Sequence, residues 1–345
     1  MIRSFTFLIL FFTGYSSHSQ GGESSVQHME FFTTRENELS QKYLSYMAEV
    51  AHGNRARKLE KRRQELIGQI RTSLNEVNRL RPYKGDASLR ETYKIYWDIL
   101  LKVFNEDYDK IVNMEEIAEQ SYDHMEAYLM AQQKASEVLG NAQDKIEPVY
   151  NAFASKNNIR LIKGGDSKLG KKLRQVGSVN GYYYQIFLIF FKSFKQEAYV
   201  MDAFNRKDIN GIEQNRNTLI KFAEEGLHKM DTIKAYRGDG SLASACRKVL
   251  EFHKVEAEKQ IPGLNDFLLK NDEFEKIKKA FDAKPAGKRT KADVEVYNKA
   301  VAEINAAMET SNKLLTVMNT SREKAMNNWD VTKKRFMETH VPKGK

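Results

Sequence analysis

Tyr83-Lys84-Gly85-Asp86-Ala87-Ser88-Leu89 returns 153 residues later as Tyr236-Arg237-Gly238-Asp239-Gly240-Ser241-Leu242, with five of the seven positions identical. Holding that offset and walking backwards needs no gap. Lys42 meets Lys195, Tyr46 meets Tyr199, Glu60 meets Glu213 and Arg63 meets Arg216. Leu66, Ile67 and Leu74 meet Leu219, Ile220 and Leu227. Between residues 41 and 89 there are twelve identities, and many other pairs keep apolar character. The pattern predicts two copies of one structural unit.

The repeated stretch reads as a turn between helices. Pro82 blocks a helix that ends near Arg81. Gly85 can take the left-handed conformation that the turn needs. Ser88 is a good N-cap, and Glu91 three residues on completes a capping box. The second copy keeps the glycine and the serine but has Ser244 in place of the glutamate.

On either side of these turns apolar residues recur at helical spacing, as in Leu59, Leu66, Ile67, Ile70, Leu74 and Val77. Alternating strand patterns are nearly absent, and only five prolines interrupt the chain. The expected fold is all-α, two tandem up-and-down four-helix bundles. The first copy, within 20–160, places helices at about 28–52, 55–81, 88–112 and 115–156, with Pro148 kinking the last. The second, within 181–345, places them at about 181–206, 209–235, 241–259 and 291–339. It carries an insertion near 264–283, and Thr290-Lys-Ala-Asp293 opens the final helix. A stretch rich in Gly and Lys, 161–180, reads as the linker.

The first nineteen residues have the form of a secretory signal peptide. A single charge, Arg3, precedes an apolar stretch from Phe5 to Phe12, and Ser17 and Ser19 are the small residues before cleavage. Cleavage after Ser19 leaves Gln20 first. The densest later apolar run, Tyr182 to Phe191, is ten residues long and is followed by Lys192, Lys195 and Glu197, too short for a membrane span. The expected location is the periplasm or outer cell surface.

The whole layout of signal peptide, two helical halves and Gly-Asp turns resembles uncharacterised exported helical surface proteins of spirochaetes and Bacteroidetes. The resemblance implies a place at the cell envelope. It brings no catalytic residues with it.

Composition bounds the chemistry. The formal net charge of +10 favours acidic surfaces in general, without choosing among lipid, polysaccharide or nucleic acid. An exported protein rarely meets nucleic acid, so none is expected as a partner. Cys246 is the one cysteine, which excludes an internal disulfide and a Cys-rich zinc site, and predicts a small buried residue. Two Glu-x-x-His pairs invite comparison with di-iron bundles: Glu49 with His52, and Glu225 with His228. At the 153 offset they fall on Asp202 with Asn205 and on Thr72 with Asn75, so neither is repeated.

Arg237-Gly238-Asp239 is a tripeptide that some adhesion receptors read, but Lys84-Gly85-Asp86 fills the same turn in the first copy. Six positive charges lie in Arg55 to Arg63, and a second basic patch comprises Lys163, Lys168, Lys171, Lys172 and Arg174. Both read first as solvated helix faces and second as sites for an anionic envelope polymer or lipid. The aromatics from Tyr182 to Phe194 read as core, with a ligand pocket as the lesser reading. No nucleophile elbow or phosphate-cradling loop is present.

No catalytic, cofactor-binding or metal residues are therefore assigned. The expectation is a non-enzymatic binding or structural protein of the bacterial envelope, with an envelope protein or anionic polymer as partner. The alternative is a small-ligand or metal carrier using a bundle interior. Buried ionisable groups converging at one depth would favour the carrier; a continuous apolar core would oppose it.

Overall fold

The computed structural model describes residues 24–51, 56–161 and 168–342. The expected signal peptide and its cleavage point lie outside these residues, as do His52, Arg55 and Lys163. Among the described residues the fold is all-α, with two isolated β-type bridges, Tyr83 to Asp86 and Tyr236 to Asp239. No described helix is long and apolar enough to cross a membrane.

Eleven α-helices are described: α1 (Ser25–Ala51), α2 (Ala56–Arg79), α3 (Ser88–Lys102), α4 (Tyr108–Ala118), α5 (Tyr122–Gln143), α6 (Ile146–Lys156), α7 (Lys168–Asn205), α8 (Ile209–Thr232), α9 (Ser241–Val255), α10 (Ile261–Asp282) and α11 (Lys291–His340). The described residues fall into two compact units. One runs to Tyr184 and also takes the chain from Lys334 onward; the other is Gln185–Lys333.

The 153-residue offset recurs in the bounds of several elements. Displacing α2 by 153 gives the bounds of α8, and displacing α3 gives those of α9. Both third helices then pass through a π-helical turn, Val103–Asp107 in one unit and Glu256–Gln260 in the other, again at that offset. A π-turn inserts one residue and leaves a carbonyl poorly used by the helix. In both units an arginine reaches it. Arg63 Nη1 donates to the carbonyl of Phe104 at 2.7 Å, and Arg216 Nη1 to that of Ala257 at 3.4 Å. Each arginine is held from behind by the glutamate three residues earlier, Glu60 or Glu213. Arg63 is thus a buried structural residue, not part of a solvated face.

The turns match as well. Lys84 and Gly85 have φ of 47° and 83°, and Arg237 and Gly238 have 51° and 88°. The backbone N–H of Asp86 donates to Tyr83, and that of Asp239 to Tyr236. The expected serine caps are replaced by the aspartates. Asp86 Oδ1 accepts from the Ser88 N–H at 2.9 Å, and Asp239 Oδ1 from the Ser241 N–H at 2.8 Å. A carboxylate two residues earlier reaches the first helical amide better than a hydroxyl on that residue can. Glu91 turns to Arg90 instead.

Other boundaries differ from the sequence expectation. Residues 168–180 are not linker but the first turns of α7, whose Leu173, Val176 and Val179 are buried at helical spacing. Residues 334–342, expected in the second copy, group with the first unit. The expected fourth helix, 115–156, is broken twice: its first residues are the end of α4, and α5 and α6 follow, separated at Asp144–Lys145. Pro148 is the third residue of α6, where its missing N–H has no intrahelical acceptor to lose. The stretch near 264–283 is helical and belongs to α10. At Thr290 the expected start of the last helix is present: Thr290 Oγ1 accepts from the Asp293 N–H at 3.2 Å, and the Thr290 N–H donates to Asp293 at 2.9 Å.

The first unit has an aromatic core. Phe32 stacks on Tyr93 at 4.6 Å and Phe104 on Tyr108 at 4.9 Å, with Trp97 and Phe153 fully enclosed. One carboxylate lies inside it. Glu36 accepts from Tyr93 Oη at 3.0 Å and from Gln143 Nε2 at 2.6 Å, and Tyr96 Oη donates to Gln143 Oε1 at 2.8 Å. Both carboxylate oxygens have a donor, so this network is closed.

Candidate functional site in the second unit

In the second unit the residues matching Glu36, Tyr93 and Tyr96 are Ile189, Cys246 and Val249, so that level is apolar. The polar level lies one to two turns further along. Ser193, Glu197, His253 and Glu256 are buried there, where the first unit has Ser40, Leu44, Leu100 and Val103. Three of these four positions exchange an aliphatic side chain for an ionisable one.

Two elements bring the groups together. Ser193 and Glu197 are one turn apart on α7, and His253 on α9 is one turn before Glu256 at the start of the π-turn. α11 closes the level. Its buried residues Ala300, Ile304, Ala307, Ser311, Met318, Ala325 and Trp329 follow a 3–4 spacing. Arg322 occupies the seam position between Met318 and Ala325, where an apolar residue is otherwise expected. Its Nη2 lies 2.5 Å from Glu197 Oε1 and 2.7 Å from Glu256 Oε1. Nη1 donates to Asn319 Oδ1 at 2.8 Å.

One guanidinium therefore serves two buried carboxylates. Burial, and then the charge of Glu197, push Glu256 up to about 8 against the pull of Arg322. Burial raises Glu197 as well, with Arg322 opposing. Like charges held by one cation in a low dielectric cannot both ionise freely, so the pair keeps a shared proton near neutrality.

His253 is fixed by a chain of hydrogen bonds. Ser193 Oγ donates its one hydrogen to the Phe190 carbonyl at 3.1 Å. Its oxygen is then left to accept from His253 Nδ1 at 3.0 Å. With the Ser193 hydrogen directed to Phe190, the ring is the Nδ1–H tautomer with a lone pair on Nε2. Burial, and next Arg322, hold it neutral by lowering it to about 3. The acceptors His253 Nε2, Glu256 Oε2 and Gln260 Oε1 are all buried without a hydrogen-bond partner, as is the Arg322 Nε donor. The first unit's network is closed; this one has open valences.

A second feature of the unit is a helical hairpin. From Leu269 to Lys299 no residue is buried. The ends of α10 and α11 are joined there by Phe281 stacked on Tyr297 at 4.4 Å, by Arg289 over the Phe281 ring and by Lys284 paired with Asp293. Leu269, Val294 and Val296 are exposed. Between residues 283 and 292 the tip carries Lys284, Lys288, Arg289 and Lys291 and no acidic residue.

The other residues singled out by sequence fall elsewhere. His228 is exposed, and Glu225 pairs with Lys192. Among the described residues no three His, Cys, Asp or Glu side chains are placed to hold a metal ion. Asp239 of the Arg-Gly-Asp turn caps α9, as Asp86 caps α3. Lys58 and Arg62 of the first basic run are paired with Glu49. Cys246 is fully buried and its thiol is pushed up to about 12 by burial. Phe190 and Phe191 are core residues, Phe190 stacking on Trp329 at 4.3 Å. Sequence reading missed Glu197, His253, Glu256 and Arg322. The available signal was the offset itself, which sets two glutamates opposite Leu44 and Val103.

Comparison with known protein families, curated proteins and solved structures gives no match for this chain.

Proposed function

We propose that this chain is an exported, non-enzymatic binding protein of the bacterial envelope, built from two copies of one four-helix unit. The equal bounds of α2 and α8, and of α3 and α9, support the duplication. The observation that carries the binding reading is the hairpin 269–299. A segment with no buried residue contributes little to the core that stabilises the fold. Its basic tip is complementary to an anionic envelope polymer. The test is cosedimentation of the mature chain with envelope material at physiological salt, beside a variant with Lys284, Lys288, Arg289 and Lys291 all changed to Gln. The variant is expected to lose most of the binding and to keep its helicity. Equal binding by the two would reject the hairpin as the binding element.

The buried polar level favours a second reading, a small-ligand carrier. Charged groups converge inside the second unit, where the first unit has leucine and valine.

A further inference from the structure

Burying two carboxylates has no evident structural necessity here, because Leu44, Leu100 and Val103 are buried at the positions 153 residues earlier. Replacing a buried ionic group by well-packed apolar residues is commonly neutral or stabilising. The charged set of the second unit therefore needs another explanation.

Its charge balance gives one. The groups facing the level are Glu197 from α7, Glu256 and His253 from α9 and the π-turn, and Arg322 from α11. From α8, Arg216 and Glu213 lie nearby, but they neutralise each other, with Glu213 also accepting from Asn265 of α10. With both carboxylates ionised, two negative charges face one guanidinium and His253 is neutral. One negative charge is left over inside the unit. It must be met by a proton or by a monovalent cation.

The open valences select between cations. His253 Nε2 offers a lone pair, and Glu256 Oε2 and Gln260 Oε1 are oxygen acceptors, all three buried and without a partner. Glu256 and Gln260 bound the π-turn, and His253 lies three residues before Glu256 at the end of α9. A nitrogen lone pair is a poor ligand for sodium or potassium, which prefer oxygen. The three acceptors together match a group that carries several N–H donors and one positive charge.

We propose that the interior of the second unit binds one ammonium-type cation, either the ammonium ion or the head of a primary amine, through His253, Glu256 and Gln260. The proposal rests on the carrier reading and is independent of the hairpin. Because the shared proton and the cation neutralise the same charge, they compete. Binding displaces the proton of the Glu256 carboxyl to solvent as the N–H donors take its place.

The test is titration of the full mature chain with methylammonium chloride, followed by calorimetry in two buffers of different ionisation enthalpy. Tetramethylammonium chloride, which has the charge but no N–H, and sodium chloride are the controls. One saturable site for methylammonium alone is expected, with proton release. Its affinity should rise by up to about ten-fold per pH unit below about pH 8. Glu256→Gln, which keeps shape and removes the charge, should weaken binding by at least about ten-fold while circular dichroism stays unchanged. Equal binding by tetramethylammonium, equal binding by Glu256→Gln, or no saturable binding would each overturn the proposal. Native mass spectrometry of the protein from its own envelope separates the two readings. A retained mass that is not an amine would leave a carrier standing and remove this ligand, and a bare chain would remove both.

Discussion

Arg63 and Arg216 stand 153 residues apart and do the same work: each donates Nη1 to the carbonyl of the second residue of a π-turn. The contact ties the second helix of each unit to the third where the third widens into the π-turn. In the second unit that π-turn begins with Glu256. The element that repeats is thus also the one that carries the divergent carboxylate.

Removing Arg322 alone should be costly. Arg322→Leu leaves Glu197 and Glu256 buried without their cation, and a loss of about 3–5 kcal/mol is expected by urea unfolding. The triple change Glu197→Leu, Glu256→Val, Arg322→Leu installs the first unit's residues at both carboxylate positions. It should restore wild-type stability or exceed it. A triple variant as unstable as the single one would show that the level is held by packing and not by charge.

The stability of the protein should fall as pH rises from about 6.5 to 8, and change little between about 5 and 6.5, where Glu256 and His253 oppose each other. Glu256 is raised from 4.5 to about 8 in the folded chain, so the folded state holds a proton that the unfolded chain has released. The stabilisation is complete below pH 4.5 and is lost as pH passes through 8, with a slope of at most about 1.4 kcal/mol per unit. His253 acts in the opposite sense. Lowered from 6.5 to about 3, it contributes stability above pH 6.5 that is lost on acidification toward pH 3. Glu256→Gln should remove the first slope and leave the second, which chemical denaturation at pH 5, 6, 7 and 8 would resolve.

Gly85→Ala and Gly238→Ala should destabilise by nearly the same amount, about 1–2 kcal/mol each. Both glycines have φ above 80°, and a Cβ built at either meets nothing within 4 Å. The penalty is therefore conformational and independent of packing. Thermal unfolding of the two single variants would check it, and clearly unequal losses would mean that the two turns differ in their surroundings.

The hairpin should open locally. Amides between 269 and 299 are expected to exchange faster than those of α8 and α9, because no buried side chain in that span resists fraying. Phe281→Ala removes the stack on Tyr297 and should speed exchange within the hairpin while leaving the free energy of urea unfolding within about 0.5 kcal/mol of wild type.

Helical periodicity and the repeated Gly-Asp turn were enough to predict an all-α chain and the offset that relates α2 to α8 and α3 to α9. Those properties are local: 3.6-residue apolar spacing and a left-handed glycine act within a few residues of themselves. Residues 168–180 misled because lysine and glycine suggested a linker, whereas Leu173, Val176 and Val179 give α7 a buried stripe that outweighs composition. The aspartate caps, the π-turns and the division of α11 between units also went unread, since each depends on a partner elsewhere in the chain.

What the sequence determined by itself is the helix content and the offset that α2 and α3 share with α8 and α9, because both are written in the order of neighbouring side chains. The tertiary structure alone decided that Glu197, His253 and Glu256 are interior, and that Arg322, 66 residues beyond Glu256, is the cation they face. A glutamate reads the same in sequence whether it lies in water or in a core. Only the packing of α7, α9 and α11 removes the solvent, and the removal of solvent is what turns two ordinary carboxylates into a charge that must be met.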